Sequence, residues 1–231
     1  VRALALDAIA DSGQQYGGRA YVDCLAAARE RGVPVRVVRA GMRWQTDDGI
    51  VLDVLAPSLP YLADTGDDVN ENSIVLRLSY RLPDGGTYRA LFTGDAGEGS
   101  EARLLARRVD LRADLLKVGH HGSRWATTSA FLAAVKPRIA LISVGRYNTF
   151  GHPSPETLDR LVAAEVPVYR TDRCGAISVV ADARSVAPLL CALGPGGWSA
   201  GAYAGKVRPV RGAGSKGLVF DRARFAQTEL W

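Results

Sequence analysis

Asp114-Leu115-Leu116-Lys117-Val118-Gly119-His120-His121-Gly122-Ser123 decides how this chain is read. An apolar, strand-like run enters two adjacent histidines, a glycine and a serine. Residues 114–118 mark a buried strand, and polar groups delivered at its end sit on a loop above a sheet. Neighbours on a chain leaving a strand point to opposite sides. One histidine is therefore expected as a ligand, and the other beside the substrate or supporting the first. Gly122 lets the backbone turn sharply and approach a ligand closely.

The chain has three histidines. The third lies in Gly151-His152-Pro153-Ser154-Pro155-Glu156, one helix and one strand further on. Ser154 as N-cap and Pro155 at the first helical position start a helix there. Its first backbone N–H groups suit an anion such as a phosphate. Tyr147 and Asn148 precede it and are expected along the same pocket. Upstream, Leu91-Phe92-Thr93-Gly94-Asp95 brings a carboxylate to the end of another apolar strand. Asp95 reads either as a metal ligand able to bridge two ions or as a turn aspartate before the next helix. Lys117 reads either as an edge-strand or snorkelling lysine or as a charge complement to an anionic substrate. Asn70-Glu71-Asn72-Ser73 forms a turn into the strand expected to pair with the one carrying Asp95.

Outward from these stretches, the first half reads as hairpins. Turns fall at Asp47-Asp48-Gly49 and Pro83-Asp84-Gly85-Gly86, with strands over 50–55, 73–80 and 88–93. Strands are also expected over 1–6 and, half-buried, over 33–39. A helix over 19–31 carries Tyr21, Leu25 and Ala28 on one face and stops at Gly32. Residues 57–72 read as a loop. The second half alternates helices (98–108, about 128–135, and from 154) with strands (138–144, 166–170 and 176–180). That order predicts a layered α/β architecture. Past about residue 182 the periodicity fades into Gly, Ala and basic residues. Residues 1–182 are therefore expected as the domain and 183–231 as an appendage.

The 231 residues are 47% hydrophobic and 23% charged, which suits one soluble domain and excludes wholesale disorder. A net charge of +5 favours anionic partners such as nucleic acid. No apolar run reaches the roughly 18–20 residues of a membrane span. Cys24, Cys174 and Cys191 show no paired spacing, and each is expected as a small buried hydrophobe. The chain opens on Val1, and Met42 is its only methionine. It is therefore expected to be a piece of a longer polypeptide.

Five stretches in this order carry a resemblance: Asn70 to Leu78, Phe92 to Ala96, Asp114 to Ser123, Gly151 to Glu156 and Tyr169 to Ile177. Together they resemble the C-terminal metallo-β-lactamase-fold domain of ComEC-type competence proteins, over about residues 1–182. The resemblance implies an αβ/βα sandwich, N-terminally incomplete here, with a divalent metal site at one edge. Two ions, zinc or manganese, are implied for the intact domain. The fold's His-x-His-x-Asp-His motif does not occur in this sequence and is expected upstream of Val1. On the same resemblance, Asp95 and His120 match metal ligands, with His121 the alternative to His120. His121, Ser123 and His152 match catalytic positions. Lys117, Gly122, Asn148 and Ser154 are expected to face substrate.

The function implied is a DNA phosphodiesterase that degrades the non-imported strand during competence-linked uptake. Its partners would be DNA and a membrane-embedded channel region of the same polypeptide, with this domain extracytoplasmic. Two other readings stay open. One is a non-catalytic module that grips nucleic acid or a partner, and the other is a metallo-hydrolase of the same fold acting on a small molecule.

Overall fold

A computed structural model describes residues 5–181, and the backbone alone at 186–193 and 197–199. In chain order the elements are β1 (Ile9–Asp11), α1 (Arg19–Glu30), β2 (Val35–Val37), β3 (Arg43–Gln45), β4 (Val51–Ala56), α2 (Asp68–Glu71), β5 (Val75–Arg81), β6 (Thr87–Phe92) and α3 (Glu98–Ala106). They continue with β7 (Leu115–Lys117), a 3₁₀ turn (Gly119–Gly122), α4 (Ser129–Val135), β8 (Ile139–Ile142), α5 (Pro155–Ala163), β9 (Val168–Arg170), α6 (Thr171–Cys174), β10 (Ile177–Ala181), β11 (Val186–Leu193) and β12 (Gly197–Ser199).

A seven-stranded sheet in the order β3-β4-β5-β6-β7-β8-β9 organises the molecule. Strands β3 to β6 pair antiparallel: short turns join β3 to β4 and β5 to β6, while residues 57–74, with α2, connect β4 to β5. From β6 to β9 the pairing is parallel, because α3, α4 and α5 supply the crossovers. The result is a mixed α/β sheet, compatible with an α/β sandwich. β1 and β2 form a separate parallel pair, and β10, β11 and β12 an antiparallel sheet. The expected boundary at residue 182 falls between β10 and its partner β11.

Register explains the two faces. Leu91, Leu116 and Ala140 align across β6, β7 and β8, and all three are buried in the larger core cluster. There they meet Leu104 of α3, Phe131 and Val135 of α4, and Leu161 of α5. One residue earlier, Ala90, Leu115 and Ile139 align and face the opposite cluster with Leu78 and Tyr88. Partly buried Val179 and Ala181 of β10 pack against that second cluster. The period-two alternation of each strand thus feeds two cores.

Several expectations change. The strand expected over 1–6 lies largely outside the described residues, and Ala5 and Leu6 are not in a strand. β2 is exposed at all three positions, and burial in that segment begins at Val38. The expected loop at 57–72 contains the short helix α2, where Asp67 accepts a hydrogen bond from the Asn70 backbone N–H. Cys174 is disulfide-bonded, not an isolated apolar residue. Cys24 is a free, half-buried thiol. The Cys191 side chain lies outside the described residues. Among the described residues no helix is long and apolar enough to cross a membrane.

Candidate functional site

Parallel register assembles the site. Phe92 of β6 pairs with Lys117 of β7, and Lys117 with Leu141 of β8. All three strands therefore end on one edge of the sheet. Asp95, His121 and Ser143 follow those ends within four residues. Ligand sites of open α/β sheets lie beyond the carboxyl ends of parallel strands.

The Asp95 loop is built by the turn at 70–73. Asn72 is buried, and its side-chain amide donates to Leu62 O and Asp68 O at 2.8 and 2.7 Å. Ser73 Oγ accepts the Asp95 backbone N–H at 3.2 Å. Glu71 accepts backbone N–H groups of Gly99 and Ser100, so a carboxylate caps the start of α3. This leaves the Asp95 carboxylate free of the capping duty that was its alternative reading.

The chain leaves extended geometry at Gly119. His120 and His121 both adopt left-handed backbone, with φ of 45° and 54°, at about 1–2 kcal/mol each for non-glycine residues. Alternation of side chains along a strand no longer applies there. The His120 backbone N–H donates to Gly94 O at 3.2 Å, tying this turn to the Asp95 loop. His121 Nε2 then lies 3.5 Å from Asp95 Oδ1. His121 Nδ1 is 2.7 Å from Ser143 O. A proton on Nδ1, donated to that carbonyl, orients the ring and presents Nε2 to the site. His120 instead packs its ring against His152, with centroids 5.7 Å apart.

Lys117 does not sit on an edge strand. Its Nζ donates to Gly94 O at 3.0 Å and lies 3.9 Å from Asp95 Oδ1. Burial lowers the Lys117 pKa, opposed by the Asp95 charge. Burial by itself would raise the Asp95 carboxyl, but the His121 hydrogen bond and the Lys117 charge outweigh it and hold the pKa below its usual value. The hydrogen bond to Asp95 raises His121. Burial, then the charges of His120 and His121, lower His152.

The other expected residues hold the loop. Ser123 is buried, and its carbonyl accepts the Thr157 hydroxyl at 2.8 Å. Ser154 N donates to Gly122 O, and its hydroxyl caps α5 by accepting Thr157 N. Gly122 has φ of +88°, and a Cβ there would come 2.5 Å from Pro153 Cβ. Asn148 staples its own loop, donating to Gly145 O and His152 O and accepting the His152 N–H.

Glu101 was not singled out in the sequence. It is buried on α3 and accepts the Thr128 N–H at 2.8 Å, with the Thr127 N–H on its other oxygen. Burial pushes its carboxyl up to about 6. Arg160 of α5 donates to the carbonyls of Thr127 and Ala126 at 3.0 and 2.9 Å. Two helices thus clamp the segment that follows the histidines. The available signal was a carboxylate one helical turn before Leu104, on the buried face of α3.

Asp95 and His121 suit a divalent ion. Their 3.5 Å separation is what two ligands about 2.0–2.2 Å from a common tetrahedral ion subtend. One oxygen and one imidazole nitrogen fit either zinc or manganese. His152 Nδ1 is buried without a hydrogen-bond partner, an atom that calls for a ligand. Among the described residues no group of three or more His, Cys, Asp or Glu converges.

No protein-family profile matches the chain. Over 153 residues, 66% of its length, it is 35% identical to ComE operon protein 3 of Bacillus subtilis. The chain is similar to competence proteins. Competence protein ComA of Neisseria gonorrhoeae is 34% identical over 139 residues, 60% of this chain. Recombination protein 2 of Haemophilus influenzae is 33% identical over 141 residues, 61% of this chain. The matched stretches cover 18%, 19% and 16% of these relatives, so the match spans less than a fifth of each.

Proposed function

We propose that this chain is part of a metal-dependent DNA phosphodiesterase acting in competence-linked DNA uptake, where it degrades the strand that is not imported. The observation that carries this reading is the His121 imidazole, anchored on Ser143 O and aimed at Asp95 Oδ1. The names of the relatives support the DNA-uptake setting. The fold of this reading is the metallo-β-lactamase αβ/βα sandwich, to which the mixed sheet and its helices are suited.

Asp95 and His121 would hold the ion, with further ligands from a His-x-His-x-Asp-His segment ahead of Val1. A bound divalent ion supplies Lewis acidity toward a phosphoryl oxygen. The remaining work falls to side chains. Lys117 offsets the charge of Asp95 and keeps its carboxylate ionised. His152, held towards the neutral form by burial, faces the site beside His120 and serves the leaving oxygen or its phosphate. Glu101 and Arg160 hold the following segment, so the two histidines keep their left-handed turn. The Cys174 disulfide supports an extracytoplasmic location, since disulfides persist in oxidising compartments.

The test is to produce the chain with its preceding segment and measure metal content and cleavage of a labelled single strand. Metal-dependent cleavage that is lost in Asp95→Ala is expected. Tight DNA binding with neither metal nor cleavage would favour the non-catalytic module, which the net charge of +5 also suits. Cleavage of small phosphodiesters with none of DNA would favour the small-molecule enzyme.

A further inference from the structure

The loop between β8 and α5 exposes two aromatic rings that the site above does not use. Tyr147 is 89% exposed and Phe150 is 82% exposed. Apolar groups gathered on one exposed surface mark interaction sites. Asn148 closes this loop through three hydrogen bonds to Gly145 and His152.

Phe150 also stands in line with the site. Its ring lies nearly parallel to that of His152, 17° apart with centroids at 6.1 Å. His152 contacts His120 at 5.7 Å, and His120 contacts His121 at 6.5 Å. His121 then reaches Asp95. A continuous file of rings therefore leads from an open aromatic face to the carboxylate. Exposed Arg146 and Arg124 lie in the same two loops, in a chain of net charge +5.

We infer that Tyr147 and Phe150 form a stacking platform for the bases of single-stranded DNA, placing the adjoining phosphodiester at His152 and Asp95. The inference rests on the phosphodiesterase reading for the second half of that statement. Unpaired bases suit the platform because each offers an apolar face to a ring while the arginines meet the phosphates. A duplex hides those faces. The platform discriminates little between bases, as a nuclease of general DNA requires.

The test uses the full chain with metal chelated, and reads anisotropy of a labelled oligothymidylate and of an abasic oligomer of equal length. Tyr147→Ala and Phe150→Ala are each expected to weaken oligothymidylate binding about tenfold. Tyr147→Leu and Phe150→Leu keep apolar bulk and are expected to be equally weak. The abasic oligomer should bind the wild type no better than oligothymidylate binds the double alanine variant. The salt dependence should not change, because no phosphate contact is removed. Undiminished binding by the alanine or leucine variants overturns the platform, as does abasic binding equal to that of oligothymidylate. So does ring-dependent binding to anionic lipid vesicles with no ring dependence toward DNA. Hydrolysis of bis(p-nitrophenyl) phosphate by the metal-loaded wild type carrying its preceding segment is read separately. Its absence, with base-dependent binding intact, would sink the phosphodiesterase reading and leave the platform standing.

Discussion

His121 Nε2 and Asp95 Oδ1 lie 3.5 Å apart, although 26 residues of chain separate them. They meet because β6 and β7 run parallel and in register, so the loops at their carboxyl ends share one edge of the sheet. The His120 N–H to Gly94 O bond then fixes which histidine faces the carboxylate.

Metal retention should follow that geometry. Asp95→Ala and His121→Ala are each expected to lower divalent metal content, measured by mass spectrometry on the chain with its preceding segment. His120→Ala should leave most of the metal bound. Loss with His120→Ala and retention with His121→Ala would reverse the assignment.

His152 should matter to chemistry more than to metal. Its Nδ1 is buried and unpartnered, yet its ring contacts His120, not Asp95. His152→Ala is expected to slow phosphodiester cleavage about 100-fold or more, with metal content unchanged. Equal loss of both would make His152 a ligand.

Gly122 tests the turn itself. A Cβ would meet Pro153 Cβ at 2.5 Å and Pro153 Cα at 3.0 Å, at a φ of +88°. Gly122→Ala should cost more than about 1 kcal/mol of stability, read as a lowered thermal midpoint, and should also reduce cleavage by moving His121. An unchanged midpoint would show that the segment gives way freely.

Glu101 makes stability depend on pH. Burial raises its carboxyl from 4.5 to about 6 in the fold. A raised carboxyl favours the protonated form in the folded state. Its contribution is fully present below pH 4.5 and is lost as pH rises through 6, an amount of about 2 kcal/mol. Glu101→Gln cannot titrate there. The stability advantage of the wild type over Glu101→Gln is therefore expected to shrink by about 2 kcal/mol across that window, measured by denaturant unfolding. A gap that stays constant or widens with pH would contradict the shift.

Much of this molecule was legible beforehand. Alternating apolar residues and the turns at 47–49 and 83–86 determined the hairpins. Ser154-Pro155 determined where α5 begins, and the structure shows that cap bond. The chemical character of the site, a carboxylate and histidines at strand ends, was also plain. These are readings of a few residues at a time, and local backbone preference is enough to make them.

Other features waited for the tertiary structure. Whether His120 or His121 faces Asp95 depends on two successive left-handed residues and on a hydrogen bond to a loop 26 residues away. Glu101 was not singled out in the sequence; its role shows only once α3 packs against the segment after the histidines. The partners of two expected site residues were likewise not legible: the Asn148 amide donates to Gly145 O and His152 O, and the Ser123 hydroxyl accepts the Trp125 backbone N–H at 3.4 Å. Cys174 lacked a paired spacing, yet it is bonded. Sequence alone determined the hairpin strands, the helices α1, α3, α4 and α5, and the chemical types at the sheet edge, since periodicity and capping act over a few residues. Only tertiary structure decided which side chains converge, since parallel register brings together groups whose separation along the chain carries no local signal.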